Sequence, residues 1–479
     1  MKKINIYLML SLALTIMFFF IYSTQSLKLY SAHRTRGDLT NFAQAMWNTT
    51  QGRIMQNTFN YSVHNFWGGR EMDIPIDSNV FGIHFNPILI LFIPFYFFWP
   101  IPQTILIAQA LLTAFGGYIV YLLSKNKLNN SLLSLLIQLL YLSYFTVVSA
   151  VLSEFHALTL SIFFGLLLIY SHERLSSKYY FLSLVLFLFV QENTAIVAFF
   201  FGLYLLLSPK TFKRGLLTSF ISLIYFILVI KLFIPKLSNY HGYIFESIYG
   251  NPLGTTFASI IINSIKNPIL FLQSIFTAQN IAYLSKLFLP IFPFFLLSPL
   301  TALVGISGLT ANLLSTDLIL KATSMHYESL SIPFFVYAVV LGINKINKKT
   351  YFFVGITLIL FIYFGYQKFS SYKLNYGILT TQIYSPLDQE LDNLLNLIPS
   401  NTSVSTQDYV SGHLTNRQQL YLFPVYYHQV KYLLLGKNQN FWPLTEKEQL
   451  TFINELKSNK NFKAVSETVN YILFEKVRL

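Results

Sequence analysis

Long uncharged apolar runs recur along this chain and constrain its fold more than any other feature. Two examples are INIYLMLSLALTIMFFFIY at residues 4–22 and PQTILIAQALLTAFGGYIVYLLS at residues 102–124. A transmembrane helix needs about 20 consecutive apolar residues, and about ten such runs are present. Only 11% of the residues are charged, which is less than half of the roughly 25% of ordinary soluble domains. The sequence therefore predicts an all-α polytopic membrane protein.

The net charge of +14 is explained by membrane topology. The positive residues concentrate in short turns between apolar runs, at 124–128, 172–178, 209–214 and 344–350. Basic turns of this kind stay in the cytoplasm, so the charge does not indicate nucleic acid as a partner. The absence of cysteine excludes disulfides and thiolate metal sites.

We expect about 11 transmembrane helices in the cell membrane. The predicted spans are 4–23, 103–123, 131–150, 157–171, 178–190, 193–208, 215–235, 286–300, 301–316, 327–343 and 351–366. The stretch NPILILFIPFYFFWP at 86–100 contains three prolines, and we expect it to lie along or dip into the membrane. Counting the spans alternately then places the N-terminus in the cytoplasm. The first loop, at about 24–102, and the C-terminus are both placed outside.

Residues 371–479 are more polar than the rest of the chain. SVSTQDYV (403–410) and KYLLLG (431–436) are typical of short strands, and TEKEQLTFINELKSN (445–459) of an amphipathic helix. We therefore predict two parts, a transmembrane domain at 1–370 and a small extracytoplasmic α/β domain at 371–479. Asp408, His413 and Arg417 in this second part are candidates for acceptor recognition, although the domain could equally serve only to pack on the outer loop.

RTRGDLTNFAQAMWNTTQG, at 34–52, is predicted to form a short helix along the outer membrane surface. Its apolar positions follow helical spacing, at Leu39, Phe42, Ala43, Met46 and Trp47. Asp38 is expected at the N-cap, where an aspartate satisfies free amides and where the helix dipole would lower its pKa. Capping and catalysis are compatible roles for this carboxylate.

Other polar residues stand at the ends of apolar runs on the same predicted side. Glu154 and His156 lie in SEFHA, and Gln191 and Glu192 in VQENT. A carboxylate flanked by spans is costly and indicates a functional site, unless the short turn leaves it solvated. The remaining candidates are histidines and a tyrosine at span edges: His84, His326 and Tyr327. No spacing motif indicates a metal ion, so metal binding stays open.

Several of these stretches resemble a known family. They include GDLTNFAQAMWNTTQGR, SEFHALTLSIFFGLLLIY, QENTAIVAFFFGLYLL and HYESLSIPFF. In order and spacing, over almost the whole chain, they are similar to the bacterial and archaeal membrane proteins of the domain of unknown function 2079 family, which is grouped with the GT-C glycosyltransferases. The family has no assigned activity.

The GT-C resemblance implies a GT-C-like fold and a glycosyltransferase that takes a sugar from a polyprenyl-phosphate lipid. The sugar would be transferred to an acceptor, which is a glycan, a lipid or a protein, on the outer face of the membrane. An acid soon after the first span is typical of the group, and Asp38 stands there. With Glu154 and Glu192 it completes the set of candidate catalytic acids. Gln191 replaces a Lys or Arg usual in the family, which shifts phosphate binding to Arg34, Arg36 or Lys286.

Two other functions are compatible with the sequence. A transporter or flippase of lipid-linked sugars would show inverted repeats and helices broken at mid-membrane, and neither is visible. A non-catalytic scaffold would leave Asp38 and Glu154 far apart, beyond roughly 15 Å and with no shared cavity.

Overall fold

Helices make up most of the structure, and three of them are long enough to cross a membrane. The computed structural model describes residues 6–59, 78–238, 243, 245, 253–254, 256–371, 384–438 and 441–477. The three long helices are Ile6–Ser31, Gln103–Leu128 and Phe212–Leu237, with 26 residues each. The last of them contains the two segments numbered α10 and α11 below. At about 1.5 Å per residue, each exceeds a hydrocarbon core of about 30 Å. The prediction of a helical membrane protein is confirmed.

Two further helix pairs reach spanning length only with a bend. Ser131–Ser143 and Phe145–Leu152 meet at 45°, whereas Ile332–Asn344 and Lys348–Phe364 meet at 110°. The described residues thus contain three helices able to cross a membrane, or up to five if each bent pair is one span. The count of eleven spans stays a prediction.

The helices and strands are numbered here in chain order. The helices before residue 240 are α1 (Ile6–Ser31), α2 (Gly37–Thr50), α3 (Ile93–Phe98), α4 (Gln103–Leu128), α5 (Ser131–Ser143), α6 (Phe145–Leu152), α7 (Ser161–Arg174), α8 (Ser177–Leu188), α9 (Thr194–Leu206), α10 (Phe212–Leu228) and α11 (Ile234–Leu237). The later helices are α12 (Phe257–Lys266), α13 (Pro268–Ile275), α14 (Ala278–Phe288), α15 (Pro299–Ser307), α16 (Thr310–Leu314), α17 (Ile332–Asn344), α18 (Tyr351–Ser371), α19 (Pro386–Leu395), α20 (Asp408–Ser411) and α21 (Glu446–Ser458). The strands are β1 (Gln56–Asn57), β2 (Ser78–Asn79), β3 (Val404–Thr406), β4 (Leu420–Leu422), β5 (Tyr432–Gly436), β6 (Phe462–Glu467) and β7 (Tyr471–Lys476).

Besides 131–150, which is divided between α5 and α6, two more predicted spans are not continuous helices. The stretch 286–300 contains the end of α14 and then two short 3-10 turns, because Pro290 and Pro293 cannot donate the helical hydrogen bond. The stretch 301–316 is divided between α15 and α16. The expectation of one continuous helix in each of these stretches is therefore wrong.

The proline-containing stretch at 86–100 is short, as predicted. A 3-10 turn at Pro87–Phe92 leads into α3, and the two together contain twelve residues. At about 1.5–2.0 Å per residue they cover less than the roughly 30 Å of a membrane core. Phe97, Phe98 and Trp99 are exposed here, which suits aromatic side chains at a membrane interface.

A five-stranded mixed sheet lies near the C-terminus, with strand order β4-β3-β5-β7-β6. β3 is parallel to β4 and β5, and β7 is antiparallel to β5 and β6. Along β5, Leu434 packs in a core with α19, and Leu433 packs in a second core with α21. The strand predicted at 431–436 and the helix predicted at 445–459 are confirmed. The strand predicted at 403–410 is confirmed only over β3, because Asp408–Ser411 is helical. The boundary at 371 stays a prediction.

Helix α2 lies between the helical core and this sheet. Ten of its fourteen residues are buried, and Leu39 and Met46 of its apolar face pack in the helical core. On its polar face, the Gln44 side-chain amide donates to the carbonyl oxygen of Arg417 at 3.1 Å. Just after the helix, Phe59 is fully buried in the core that covers one face of the sheet. The sheet is therefore held against the first loop.

Candidate active site

The amino terminus of α2 is capped by residues from elsewhere in the chain. Arg36 occupies the N-cap and makes no side-chain capping bond. Its backbone N–H and that of Leu39 both donate to Oε2 of Glu154, at 3.0 Å each. Glu154 therefore takes both roles of a capping box. The prediction that Asp38 is the N-cap is wrong, because the N-cap is Arg36, two residues earlier, and a distant carboxylate accepts hydrogen bonds from the free amides.

Glu154 reaches α2 from a strained turn after α6. Its φ of 151° lies in a region that costs a residue other than glycine on the order of 1–3 kcal/mol. The Gln109 side chain of α4 stabilises this turn: its amide donates to the Glu154 carbonyl at 2.7 Å, and its oxygen accepts the His156 N–H at 3.0 Å. Strain of this kind is tolerated where surrounding contacts hold the backbone, and such places are often functional sites.

Asp38 and His156 meet beside this turn. Nε2 of His156 lies 3.6 Å from Oδ2 of Asp38 and 3.9 Å from Oε1 of Glu154, which is too long for a hydrogen bond. This nitrogen is buried and has no hydrogen-bond partner among the described residues. The ring of His326 stacks on that of His156, with centroids 3.3 Å apart. The Asp38 side chain is 50% exposed, whereas those of His156 and Glu154 are 6% and 3% exposed, so Asp38 is the accessible member.

Burial controls the protonation of this cluster. It raises the pKa of Glu154 well above its ordinary value, and the nearby charge of Asp38 raises it further. Burial also lowers the pKa of His156 to about 3 and that of His326 well below its usual value. Both imidazoles are therefore neutral at neutral pH.

The pKa of Asp38 is raised, not lowered as predicted. Burial of its unexposed part is the main cause, and the positive charge of Arg36 opposes it. The expected lowering rested on free amides at the start of α2. Those of Arg36 and Leu39 are bonded to Glu154, so they do not stabilise the Asp38 anion.

Asp408 joins the same helix end from the C-terminal domain. It accepts the backbone N–H of Gly37, and burial followed by the charge of Asp38 raises its pKa to about 6. A Cβ on Gly37 would lie 2.7 Å from Oδ1 of Asp408 and 2.8 Å from the Phe59 ring. The contact therefore needs a residue without a side chain at position 37.

His84 and Glu192 form a second, adjacent pair. Nδ1 of His84 lies 2.7 Å from Oε1 of Glu192, and Oε2 accepts the Phe85 N–H at 2.9 Å. The Tyr243 hydroxyl donates to Glu192 at 2.9 Å. Burial alone would raise the pKa of Glu192, but His84 and these hydrogen bonds outweigh burial and lower it. Glu192 is therefore ionised and orients His84.

Three of the other predicted site residues lie near His84 or Asp38. Gln191 approaches Nδ1 of His84 at 3.3 Å. Arg36 and Tyr327 lie close enough to Asp38 for their charges to interact. Arg34 instead acts on His33, and Lys286 lies in the last turn of α14.

The sequence analysis did not connect Asp408 with Asp38, and it did not nominate Glu328. It considered Asp408 only for acceptor recognition, because no spacing rule links it to Asp38. It did not nominate Glu328, which is 1% exposed and accepts the Tyr283 hydroxyl at 2.9 Å. The one signal in the sequence was its place in SMHYES, next to two residues that were nominated.

This site could bind a cation. Asp38, Glu154 and His156 each offer a ligand atom, and the three atoms lie within 4.8 Å of one another. Carboxylate oxygen and imidazole nitrogen suit several divalent metals. The same groups could also exchange a proton with a substrate hydroxyl at Asp38.

The fold and the site together define a helical membrane protein with a cluster of acids and histidines at the amino end of its first short helix. The chain belongs to a family described as predicted membrane protein (DUF2079), whose model matches residues 28–473. The predicted family is thereby confirmed. No curated protein matches the chain.

Proposed function

We propose that this protein is a GT-C-type glycosyltransferase of the cell membrane. It transfers a sugar from a polyprenyl-phosphate donor to an acceptor hydroxyl on the outer face. The observation that carries the proposal is the state of Asp38, which is half exposed and is not needed to cap α2. A carboxylate in that state is free to bind a substrate hydroxyl.

Asp38 acts as the base or orients the acceptor. The acceptor oxygen bonds to the anomeric carbon, the bond from that carbon to the phosphate oxygen breaks, and the hydroxyl proton passes to Asp38. A carboxylate with a raised pKa is a better base near neutral pH. The direction of the Asp38 shift supports this role.

The leaving group needs positive charge more than it needs a proton, because polyprenyl phosphate departs as a stable anion. Arg36 lies beside Asp38 and can pair with a phosphate oxygen. Nδ1 of His84 donates to Glu192, so Nε2 can donate to a phosphate oxygen in the doubly protonated ring.

The two alternative functions receive less support. A scaffold requires Asp38 and Glu154 to lie apart, but their ligand atoms lie within 4.8 Å. A transporter requires a polar site at mid-membrane, whereas Asp38 follows the end of α1 and lies in the next helix.

The test is lipid analysis of a strain that lacks this gene. We expect a polyprenyl-phosphate sugar to accumulate, and a wild-type copy to clear it. An Asp38→Asn copy should clear it roughly 10²–10⁴-fold more slowly, the usual loss when a general base is removed. Mass spectrometry of extracted lipids measures both.

Protein level and melting temperature are the controls. Both should match the wild type in Asp38→Asn, because Glu154 caps α2. An Asp38→Asn copy that clears the lipid at the wild-type rate would show that Asp38 is not the base.

A further inference from the structure

A second cluster of ligand-type side chains lies outside the candidate active site. His33 follows the end of α1, Asp392 lies on α19, and His413 follows α20. We propose that these three residues bind a divalent transition metal ion of the Zn²⁺ class, which ties the C-terminal sheet to the end of the first long helix. This proposal does not rest on the glycosyltransferase assignment.

The three side chains already lie at nearly coordinating distances. Nε2 of His33 lies 3.0 Å from Oδ1 of Asp392, and the rings of His33 and His413 are 4.1 Å apart. One ligand atom from each residue falls within 4.8 Å of the others. An ion at about 2.0–2.2 Å from each ligand keeps its ligand atoms roughly 3.3–4.4 Å apart. Small side-chain rotations would therefore complete the site.

The hydrogen bond of His413 leaves a nitrogen suited to a metal. Nε2 of His413 lies 3.0 Å from the backbone oxygen of Tyr30, and a carbonyl oxygen only accepts, so Nε2 must carry the proton. With the ring proton on Nε2, Nδ1 of the neutral imidazole keeps its lone pair. A histidine that binds a metal through one nitrogen commonly donates the other N–H to a carbonyl.

His33 is an incompletely satisfied buried imidazole. Its side chain is 2% exposed, and Nδ1 has no hydrogen-bond partner among the described residues. Because Nε2 faces Oδ1 of Asp392, Nε2 is the nitrogen that a shared ion would bind, and the ring proton then lies on Nδ1. An ion in that position replaces the hydrogen bond that now joins this buried ring to Asp392.

Asp392 is oriented and reachable from solvent. The Tyr384 hydroxyl donates to Oδ2 at 2.5 Å, which leaves Oδ1 turned to His33. The Asp392 side chain is 38% exposed, so an ion has a path into the site. Two neutral imidazoles and one carboxylate leave a fourth position for water, as in many zinc sites.

The test measures Zn²⁺ binding to the full-length protein in lipid nanodiscs after chelator treatment. Isothermal titration should find a site whose affinity falls at least about tenfold in Asp392→Asn and in His413→Gln. Zn²⁺ should raise the melting temperature of the wild type but not of these two variants. Co²⁺ absorption should report the same site in the wild type.

Two further variants distinguish this site from Zn²⁺ binding elsewhere on the protein. His428→Gln changes an exposed histidine of the same domain and should bind Zn²⁺ as the wild type does. Asp38→Asn removes a ligand of the candidate active site and should leave this affinity unchanged. Equal Zn²⁺ affinity in the wild type, Asp392→Asn and His413→Gln would overturn the proposal. If His413→Gln does not fold, the Zn²⁺ affinity of the isosteric Asp392→Asn alone tests the proposal.

Discussion

At the scale of single residues, two neighbouring carboxyls carry different roles. Glu154 is buried, strained at φ 151° and bonded to two backbone amides of α2. Asp38 is half exposed and lies beside His156. Because Glu154 holds the helix, the charge of Asp38 can be removed without removing a cap. Substitutions at these two positions should therefore have separate effects.

We expect Glu154 to stabilise α2 as a hydrogen-bond acceptor and not through a negative charge. Both N–H groups donate to one oxygen, and burial keeps the pKa high, so a glutamine resembles the protonated acid. Glu154→Gln should melt near the wild type. Glu154→Ala leaves the buried N–H of Leu39 unpaired, at about 1–3 kcal/mol, removes the bond of the partly buried Arg36 N–H as well, and should melt lower. Equal losses in the two variants would mean that the charge is what α2 requires.

Asp408 should make stability depend on pH. Its pKa rises from 3.8 to about 6 on folding, so the folded protein binds the proton more tightly than the unfolded chain. The contribution of Asp408 to stability is full below pH 4 and falls by about 3 kcal/mol as pH rises through 6. Asp408→Asn can still accept the Gly37 N–H.

Melting temperatures at two pH values test this expectation. Asp408→Asn should melt above the wild type at pH 8 and equal to it near pH 4. The matched change Glu446→Gln, at an exposed acid of the same domain, should change melting little at either pH. A lower melting temperature for Asp408→Asn at pH 8 would contradict the burial argument.

At the scale of elements, α2 joins the two parts of the molecule. Its apolar face packs in the helical core, and its polar face bonds to the sheet domain through Gln44 and Thr40. Gly37 permits the closest approach, because Asp408 and Phe59 occupy the space of a Cβ. One face of α2 therefore contacts the helical core, and the other contacts the sheet domain.

Gly37→Ala should loosen this interface. The added methyl would lie 2.7 Å from Asp408 and 2.8 Å from Phe59, and overpacking of this kind typically costs about 1–3 kcal/mol. We expect a lower melting temperature. Gly355→Ala on α18, where the nearest atoms are 3.7 Å away, is the control and should melt like the wild type. Identical melting of the two variants would show that Phe59 and Asp408 move aside freely.

At the scale of the whole molecule, the contact between α2 and the sheet domain restricts topology. Asp408 accepts the Gly37 N–H, so the first loop and the C-terminal domain must lie on the same side of the membrane. The chain must therefore cross the membrane an even number of times between them. The predicted arrangement has ten spans in this interval and meets the condition.

Reporter fusions test this topology. A periplasmic-type phosphatase inserted after residue 51 and one fused after residue 479 should both be active outside the cell. Activity of only one of the two would contradict the contact, whereas cytoplasmic placement of both would keep the contact and reverse the predicted orientation. A reporter in the basic turn at 209–214 is the control and should be cytoplasmic.

The sequence alone determined the membrane class, the helix at α2 and most members of the site. These follow from hydropathy and periodicity, which are properties of neighbouring residues. The same reasoning nominated Asp38, Glu154, His156 and Glu192, which come close to one another or to His84. That they act together in catalysis stays a proposal.

Only the tertiary structure decided which acid caps α2, how Asp38 titrates and which residues complete each cluster. Glu154 replaces Asp38 as the cap, and the pKa of Asp38 is raised where the local helix dipole alone would lower it. Asp408 reaches the candidate active site and His413 reaches His33 only when the sheet packs on the first loop. Caps, burial and ligand sets depend on contacts between residues far apart in the chain, and no local spacing encodes those contacts.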